Sequence, residues 1–248
     1  PDSIVSGPAA VGTVFSTPRA ARMSFRVSSF IRFLSVLVLG CALGVPSAAA
    51  ERTILVLGDS ISAAYGIEAE QGWVQLLADR LEDAGAGVEV VNASVSGETT
   101  GGGVVRLPGA LERLAPELVI IELGGNDGLR GYPIARIRDN LTRMVSLARE
   151  AGAEVLLLGM LIPPNYGARY TSGFQATFRE VADRTGVQFV PFLLDGVATD
   201  PALMQDDGIH PNAAAQPLLL DNLWPTLAPL LGLETAAAAG GEAAPALE

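Results

Sequence analysis

The sequence predicts an α/β sandwich, a parallel sheet of five strands with helices on both faces. Three observations lead there. Short, mostly continuous apolar runs recur along the chain, as parallel strands covered on both faces require. Between them, apolar residues return at three- and four-residue steps, the spacing of amphipathic helices. A cluster of polar residues or glycines closes each run, where an open parallel sheet binds its ligands. Strands alternating with helices imply right-handed crossovers.

The first run, Thr53–Leu57, ends in Gly58-Asp59-Ser60, and a stripe of Trp73, Leu77, Leu81 and Ala84 predicts the helix beyond it. Val88–Val91 is the second strand, closed by Ser94-Val95-Ser96-Gly97-Glu98-Thr99. Val104, Leu107, Leu111 and Leu114 predict a helix that Pro108 should bend or delay. The third strand, Leu118–Leu123, runs into Gly124-Gly125-Asn126-Asp127. Ile134, Ile137, Leu141, Met144 and Ala148 then form a helical stripe, with Pro133 suited to its first turn. Val155–Leu161 is the fourth strand, followed by Pro163-Pro164-Asn165-Tyr166-Gly167 and a helix over about Gly173–Arg184. The fifth strand, Val187–Val190, precedes Asp207 and His210, and a last helix follows Pro211. Pro211 disfavours a helical backbone at His210, which places that residue on a loop.

Residues 1–50 stand outside this frame. Met23 opens a segment with Arg26 and Arg32, an uncharged run from Phe33 to Val45, and Ala48-Ala49-Ala50. A basic start, an apolar stretch and a small-residue cleavage site make an export signal cut after Ala50, with residues 1–22 read as upstream of the start methionine. The apolar run is too short for a stable membrane span, which takes roughly 20 residues. Periplasmic or secreted protein beginning at Glu51 is the expectation. Cys41, the only cysteine, has two readings: a small residue of the signal, or the lipid-modified residue of a lipobox-like Val38-Leu39-Gly40-Cys41. The domain is expected over 51–234, and the Ala/Gly-rich tail, 235–248, has little to bury.

Composition narrows the chemistry. The first 50 residues carry four arginines and one aspartate, leaving 12 arginines against 26 acids and a net charge of −14. Such a surface argues against nucleic acid, whose binding depends on cationic neutralisation of phosphates. All 16 basic residues are arginine, so Schiff-base, pyridoxal-phosphate and P-loop lysine chemistry are excluded. With one histidine and no cysteine past residue 50, the usual Cys/His zinc sites are excluded too.

What remains is serine chemistry. Ser60, on a strand-to-helix turn, would expose its hydroxyl and put its N–H at a helix N-terminus. A serine needs a base, and His210 is the only imidazole in the chain. Asp207, three residues earlier, can fix its tautomer and stabilise the imidazolium. Gly97 can offer an unobstructed N–H and Asn126 a side-chain amide to an oxyanion, beside the N–H of Ser60. Each element also has a plain structural reading. Gly-Asp-Ser serves as a turn or cap, Asn126 and Asp127 can bond local backbone, and Asp207 with His210 can be a satisfied pair or half a metal site. Their order at matching strand ends favours catalysis.

Four segments carry a resemblance: Leu57-Gly58-Asp59-Ser60 with Ile61-Ser62-Ala63, Val91 to Thr100, Glu122 to Gly131, and Met204 to Asn212. With them the chain resembles the SGNH (GDSL-type) hydrolase family, in its bacterial thioesterase I/arylesterase/lysophospholipase branch. The resemblance implies a flavodoxin-like three-layer sandwich with strand order 2-1-3-4-5. It implies Ser60 as nucleophile, His210 as base, Asp207 as its partner, and Ser60, Gly97 and Asn126 as the oxyanion hole. It implies no metal and no organic cofactor. The partner is then a small-molecule ester: a lysophospholipid, an aryl ester or a fatty-acyl thioester. Leu161 to Gly167 resembles the loop that in this branch moves over the acyl chain, making Ile162, Pro163, Asn165 and Tyr166 substrate-binding residues; its other reading is a proline-stiffened connector. Two alternatives accompany the esterase: a carbohydrate O-acetylesterase, and a non-catalytic acyl- or sugar-binding domain. Acyl length, head group and oligomeric state are left open.

Overall fold

The computed structural model describes residues 52–233. The expectations for the export signal, for Cys41 and for the Ala/Gly-rich tail lie outside the described residues. Five strands, β1 Arg52–Gly58, β2 Val88–Asn92, β3 Leu118–Glu122, β4 Glu154–Leu158 and β5 Gln188–Val190, form one sheet in the order β2-β1-β3-β4-β5. Every pairing in it is parallel. Six helices complete the frame: α1 Trp73–Asp83, α2 Thr100–Leu114, α3 Gly125–Leu129, α4 Ile134–Glu150, α5 Ala168–Thr185 and α6 Gln216–Leu230.

Strand periodicity sorts the core into two halves. Leu55, Leu57, Val119, Ile121, Val155 and Leu157 face one side, packed against apolar residues of α2, α4 and α5. Ile54, Val56, Leu118, Ile120, Leu156 and Leu158 face the other, against α1 and α6. Successive side chains of a strand point to opposite faces, so a run such as Ile54–Leu57 is buried throughout. Among the described residues no helix is long and apolar enough to cross a membrane.

Local differences from expectation have physical causes. Pro108 neither delays nor ends α2, which starts eight residues before it. The proline lies on the solvent face, where water can take the carbonyl that its missing N–H leaves free. β4 stops at Leu158 rather than at Leu161. Beyond it Gly159 makes one more bond, to Val190 O at 2.8 Å; the next residue of the β5 side is Pro191, which has no N–H to continue a ladder. α5 begins five residues before Gly173; those residues bury no side chain, and its buried stripe starts only at Phe174. The Gly124-Gly125-Asn126-Asp127 segment that closes the third strand contributes to the single-turn helix α3.

Candidate active site

The turn at Ser60 follows from crowding at the end of β1. Gly58 pairs with Glu122 at the end of β3. A Cβ at Gly58 would lie 2.6 Å from the Ser62 side chain and 2.8 Å from Glu122 Oε2, so only glycine fits. The chain then turns once, with Ala63 N–H bonded to Asp59 O at 3.0 Å, and Ala64 takes φ 56°. Ser60 therefore sits on an isolated turn and not at the start of a helix; the first long helix begins at Trp73. The macrodipole expected beneath Ser60 is absent, and its own N–H is what it can offer an anion.

Across the site, Met204 and Pro211 form an antiparallel bridge, and Gln205 N–H bonds to His210 O at 2.8 Å. This closed loop presents Asp207 and His210. Asp207 Oδ1 accepts the N–H groups of Ile209 at 2.9 Å and of His210 at 3.0 Å. Its Oδ2 lies 2.6 Å from His210 Nδ1, and His210 Nε2 lies 2.8 Å from Ser60 Oγ. Residues separated by 150 positions thus meet. The His210 backbone N–H, its imidazole and the Ile209 N–H together pull the Asp207 carboxyl down to about 2. A carboxylate at Nδ1 keeps the proton on that nitrogen and leaves Nε2 free to accept from the serine hydroxyl. The Tyr65 ring lies against the imidazole, with centroids 4.6 Å apart.

Gly97 and Asn126 approach from the neighbouring strand ends. Gly97 has φ 80°, a conformation open to glycine. Among the described residues, neither its N–H nor that of Ser60 has an intramolecular acceptor. Asn126 donates through Nδ2 to Asp59 Oδ2 at 3.1 Å, and Asp127 bonds Thr100 on α2. Both side chains reach other elements rather than local backbone.

Behind the turn lie two buried carboxyl groups that the sequence reading passed over. Asp59 is 2 % exposed and Glu122 is 1 % exposed. Glu122 Oε2 accepts from Ser62 Oγ at 2.6 Å and from Asp59 N–H at 3.2 Å, which brackets Ser60 on both sides. Burial raises Asp59 to about 6 against the opposing hydrogen bonds of Ile61, Asn126 and Glu122 and the nearby imidazole. Burial, and then the charge of Asp59, raises Glu122 well above the carboxylate range. The signal for both was present: a lone acid closing an otherwise apolar run, and an acid beside the serine.

The four loop residues sit apart from this chain of bonds. Ile162 packs on the core beneath Gly128. Tyr166 Oη donates to Leu129 O at 2.7 Å, tying the loop to the end of α3. Two open cavities flank the rim. One of about 670 Å³ is lined by Tyr65, Gly66, Gln205, Asp206 and Asp207. The other, of about 400 Å³, lies at the starts of α4 and α5 and is lined by Ile134, Tyr166 and Gly167 to Tyr170. Tyr166 lines the second; Ile162, Pro163 and Asn165 line neither. Among the described residues no cluster of acids and histidine could hold a metal ion.

Comparison with known proteins follows the same segments. The model of the GDSL-like Lipase/Acylhydrolase family matches residues 56–217. The chain is 55 % identical over 183 residues to Esterase TesA of Pseudomonas aeruginosa, covering 74 % of this chain and 91 % of that protein. It is 42 % identical over 184 residues to Thioesterase 1/protease 1/lysophospholipase L1 of Escherichia coli K12, covering 74 % and 87 %. The solved structure of the psychrotrophic esterase EstA from Pseudoalteromonas sp., inhibited by monoethylphosphonate, matches with a TM-score of 0.70 and 42 % identity, over 73 % of this chain and 99 % of that one.

Proposed function

Because the chain belongs to the GDSL-like lipase/acylhydrolase family, we propose that this esterase is exported and works through an acyl-enzyme on Ser60. The observation that carries the reading is the unbroken chain of bonds from Asp207 through His210 to Ser60. His210 Nε2 takes the hydroxyl proton as Oγ attacks the acyl carbon. The carbonyl oxygen becomes an oxyanion, held by the N–H groups of Ser60 and Gly97 and by the Asn126 amide. Collapse of the intermediate expels the alcohol or thiol, which takes the proton from His210. Water, deprotonated by the same imidazole, then attacks the acyl-enzyme, releases the acid and restores Ser60. No step calls for a metal or an organic cofactor.

The substrate class is an acyl ester or thioester, with lysophospholipids and aryl esters included. Ile162, Pro163, Asn165 and Tyr166 form the loop along the acyl chain. The relatives' names, esterase and thioesterase/lysophospholipase, support this range. Export favours lipid esters over acyl-CoA, a cytoplasmic substrate, and rests on the signal-like pattern of residues 23–50.

The test is labelling with a fluorophosphonate, mapping of the adduct, and hydrolysis of nitrophenyl esters from acetate to long chains. The expected result is an adduct on Ser60, loss of labelling and hydrolysis in Ser60→Ala, and activity that peaks beyond acetate. A peak at acetate favours the carbohydrate O-acetylesterase. Hydrolysis at the background rate in the unaltered protein and in Ser60→Ala alike leaves a binding domain.

A further inference from the structure

Two of the three oxyanion donors come from different strand ends, Gly97 after β2 and Asn126 after β3. Their spacing is set by whatever joins those ends. Asp127, next to Asn126 on α3, is 0 % exposed. Its Oδ2 accepts the Thr100 N–H at 2.8 Å and its Oδ1 accepts the Thr100 hydroxyl at 2.7 Å. Thr100 is the first residue of α2 and lies three positions beyond Gly97. From α4, Asn140 Nδ2 donates to the same hydroxyl at 3.0 Å. A carboxylate at the N-terminus of a 15-residue helix is favoured by its free N–H groups and its dipole. At the end of α3, Arg130 donates to Gly97 O at 3.2 Å. The turn that presents Asn126 therefore grips the Gly97 segment at two points.

We propose that Asp127 is a positioning residue for ester hydrolysis, fixing the distance between the Gly97 N–H and the Asn126 amide through its paired bonds to Thr100. The proposal rests on the oxyanion hole assigned above. Asp127 touches no reacting atom and acts through its two neighbours. A small error in the spacing of two donors weakens binding of the transition state more than of the ground state.

The experiment compares Asp127→Ala, Asp127→Asn and Thr100→Val with the unaltered enzyme, well below each melting temperature, with active sites titrated by fluorophosphonate. Asp127→Ala loses both bonds. It is expected to lower kcat and the phosphonylation rate together by roughly 10- to 100-fold, with KM within about twofold. Asp127→Asn can still accept from the N–H and donate to the hydroxyl, and should recover most of the loss. Thr100→Val keeps the N–H, and should lose a few-fold in kcat alone; it carries the test if Asp127→Ala does not fold. The proposal is overturned if titrated Asp127→Ala keeps the normal kcat per active site. It is also overturned if KM rises in step with the loss, or if Thr100→Val changes nothing when Asp127→Ala is unfolded. Failure of the underlying reading looks different: Ser60→Ala would then retain hydrolysis whatever Asp127 does.

Discussion

The two sides of the site are built on opposite principles. On the imidazole side, Asp207 and His210 lie three residues apart on a surface loop, and the Asp207 side chain keeps 40 % of its exposure. Its bonds are local, to the imidazole and to the N–H groups of Ile209 and His210. On the serine side, Asp59, Glu122 and Asp127 are buried, and each reaches a different element. The exposed Asp207 carboxylate can exchange partners with water, which limits what any one of its bonds contributes. The buried carboxyls cannot, so each of their bonds is expensive to lose. Precision in this site therefore rests more on the buried side, with Ser60, Gly97 and Asn126, than on the loop that carries Asp207 and His210.

The largest effect among the predictions that divide the two sides is expected at Asp59→Asn. Asp59 accepts from Ile61 N–H at 3.1 Å and from Asn126 Nδ2 at 3.1 Å. An amide has one oxygen, so one of these bonds must go, and where it is the second, the Asn126 amide is freed or turned. Loss of an oxyanion donor lowers turnover by about 10²–10³, and that is the expected fall in kcat. Stability should move the other way. Burial raises the Asp59 pKa in the folded state to about 6, above an unfolded value of about 3.9. The folded state then holds the proton more tightly, so stability falls as pH rises from about 4 to about 6 and stays lower above that. Asn carries no such charge. Its stability relative to the unaltered protein should therefore climb across that window, by on the order of 2 kcal/mol, as read by urea midpoints at pH 4 and pH 8. A variant that keeps kcat within about threefold would show that the buried side is held by shape alone.

Asp207→Ala should do less. His210 keeps its contact with Tyr65 and its bond to Ser60, and water can stand at Nδ1. A fall in kcat of about 100-fold is expected, the low end of general-base contributions. The Asp207 pKa is lowered to about 2 by its bonds to His210 and Ile209. Its stabilising effect is therefore complete above about pH 4 and is lost as pH falls toward 2. The stability gap between this variant and the unaltered protein should close over that acid range. A loss in kcat larger than that of Asp59→Asn would reverse the comparison.

The same contrast governs what could be read from the sequence. Asp207 and His210 were legible because their contact is local and His210 has no competitor. The five strands were legible because parallel strands covered on both faces leave continuous apolar runs. Ser60, Gly97 and Asn126 could be named by their places at strand ends, and the sheet order came with the family resemblance. The partners of Asp59, Glu122 and Asp127 were not legible, because they depend on register across the sheet. Gly58 opposite Glu122 and Asp127 against Thr100 are facts of pairing and packing. The isolated turn at Ser60 escaped for a related reason: nothing local distinguishes one helical turn from the start of a longer helix.

A third region, the loop from Leu161 to Gly167, gives the smallest effect and sharpens the comparison. Its prolines argue for stiffness, while Gly167, at φ 86°, leaves room for a hinge. The structure adds one tether, the Tyr166 hydroxyl on Leu129 O, at the end of the α3 turn that carries Asn126 and Asp127. Tyr166→Phe removes that bond at an exposed position, so stability should drop by no more than about 1 kcal/mol. If the loop only connects elements, kcat and KM should stay within about twofold for every ester. If it covers the acyl chain, a looser tether should raise KM for long-chain esters by a few-fold and leave acetate unchanged, since only long chains reach the loop. A fall in kcat for acetate as well would mean that the tether also steadies α3, and that the loop belongs with the buried side of the site.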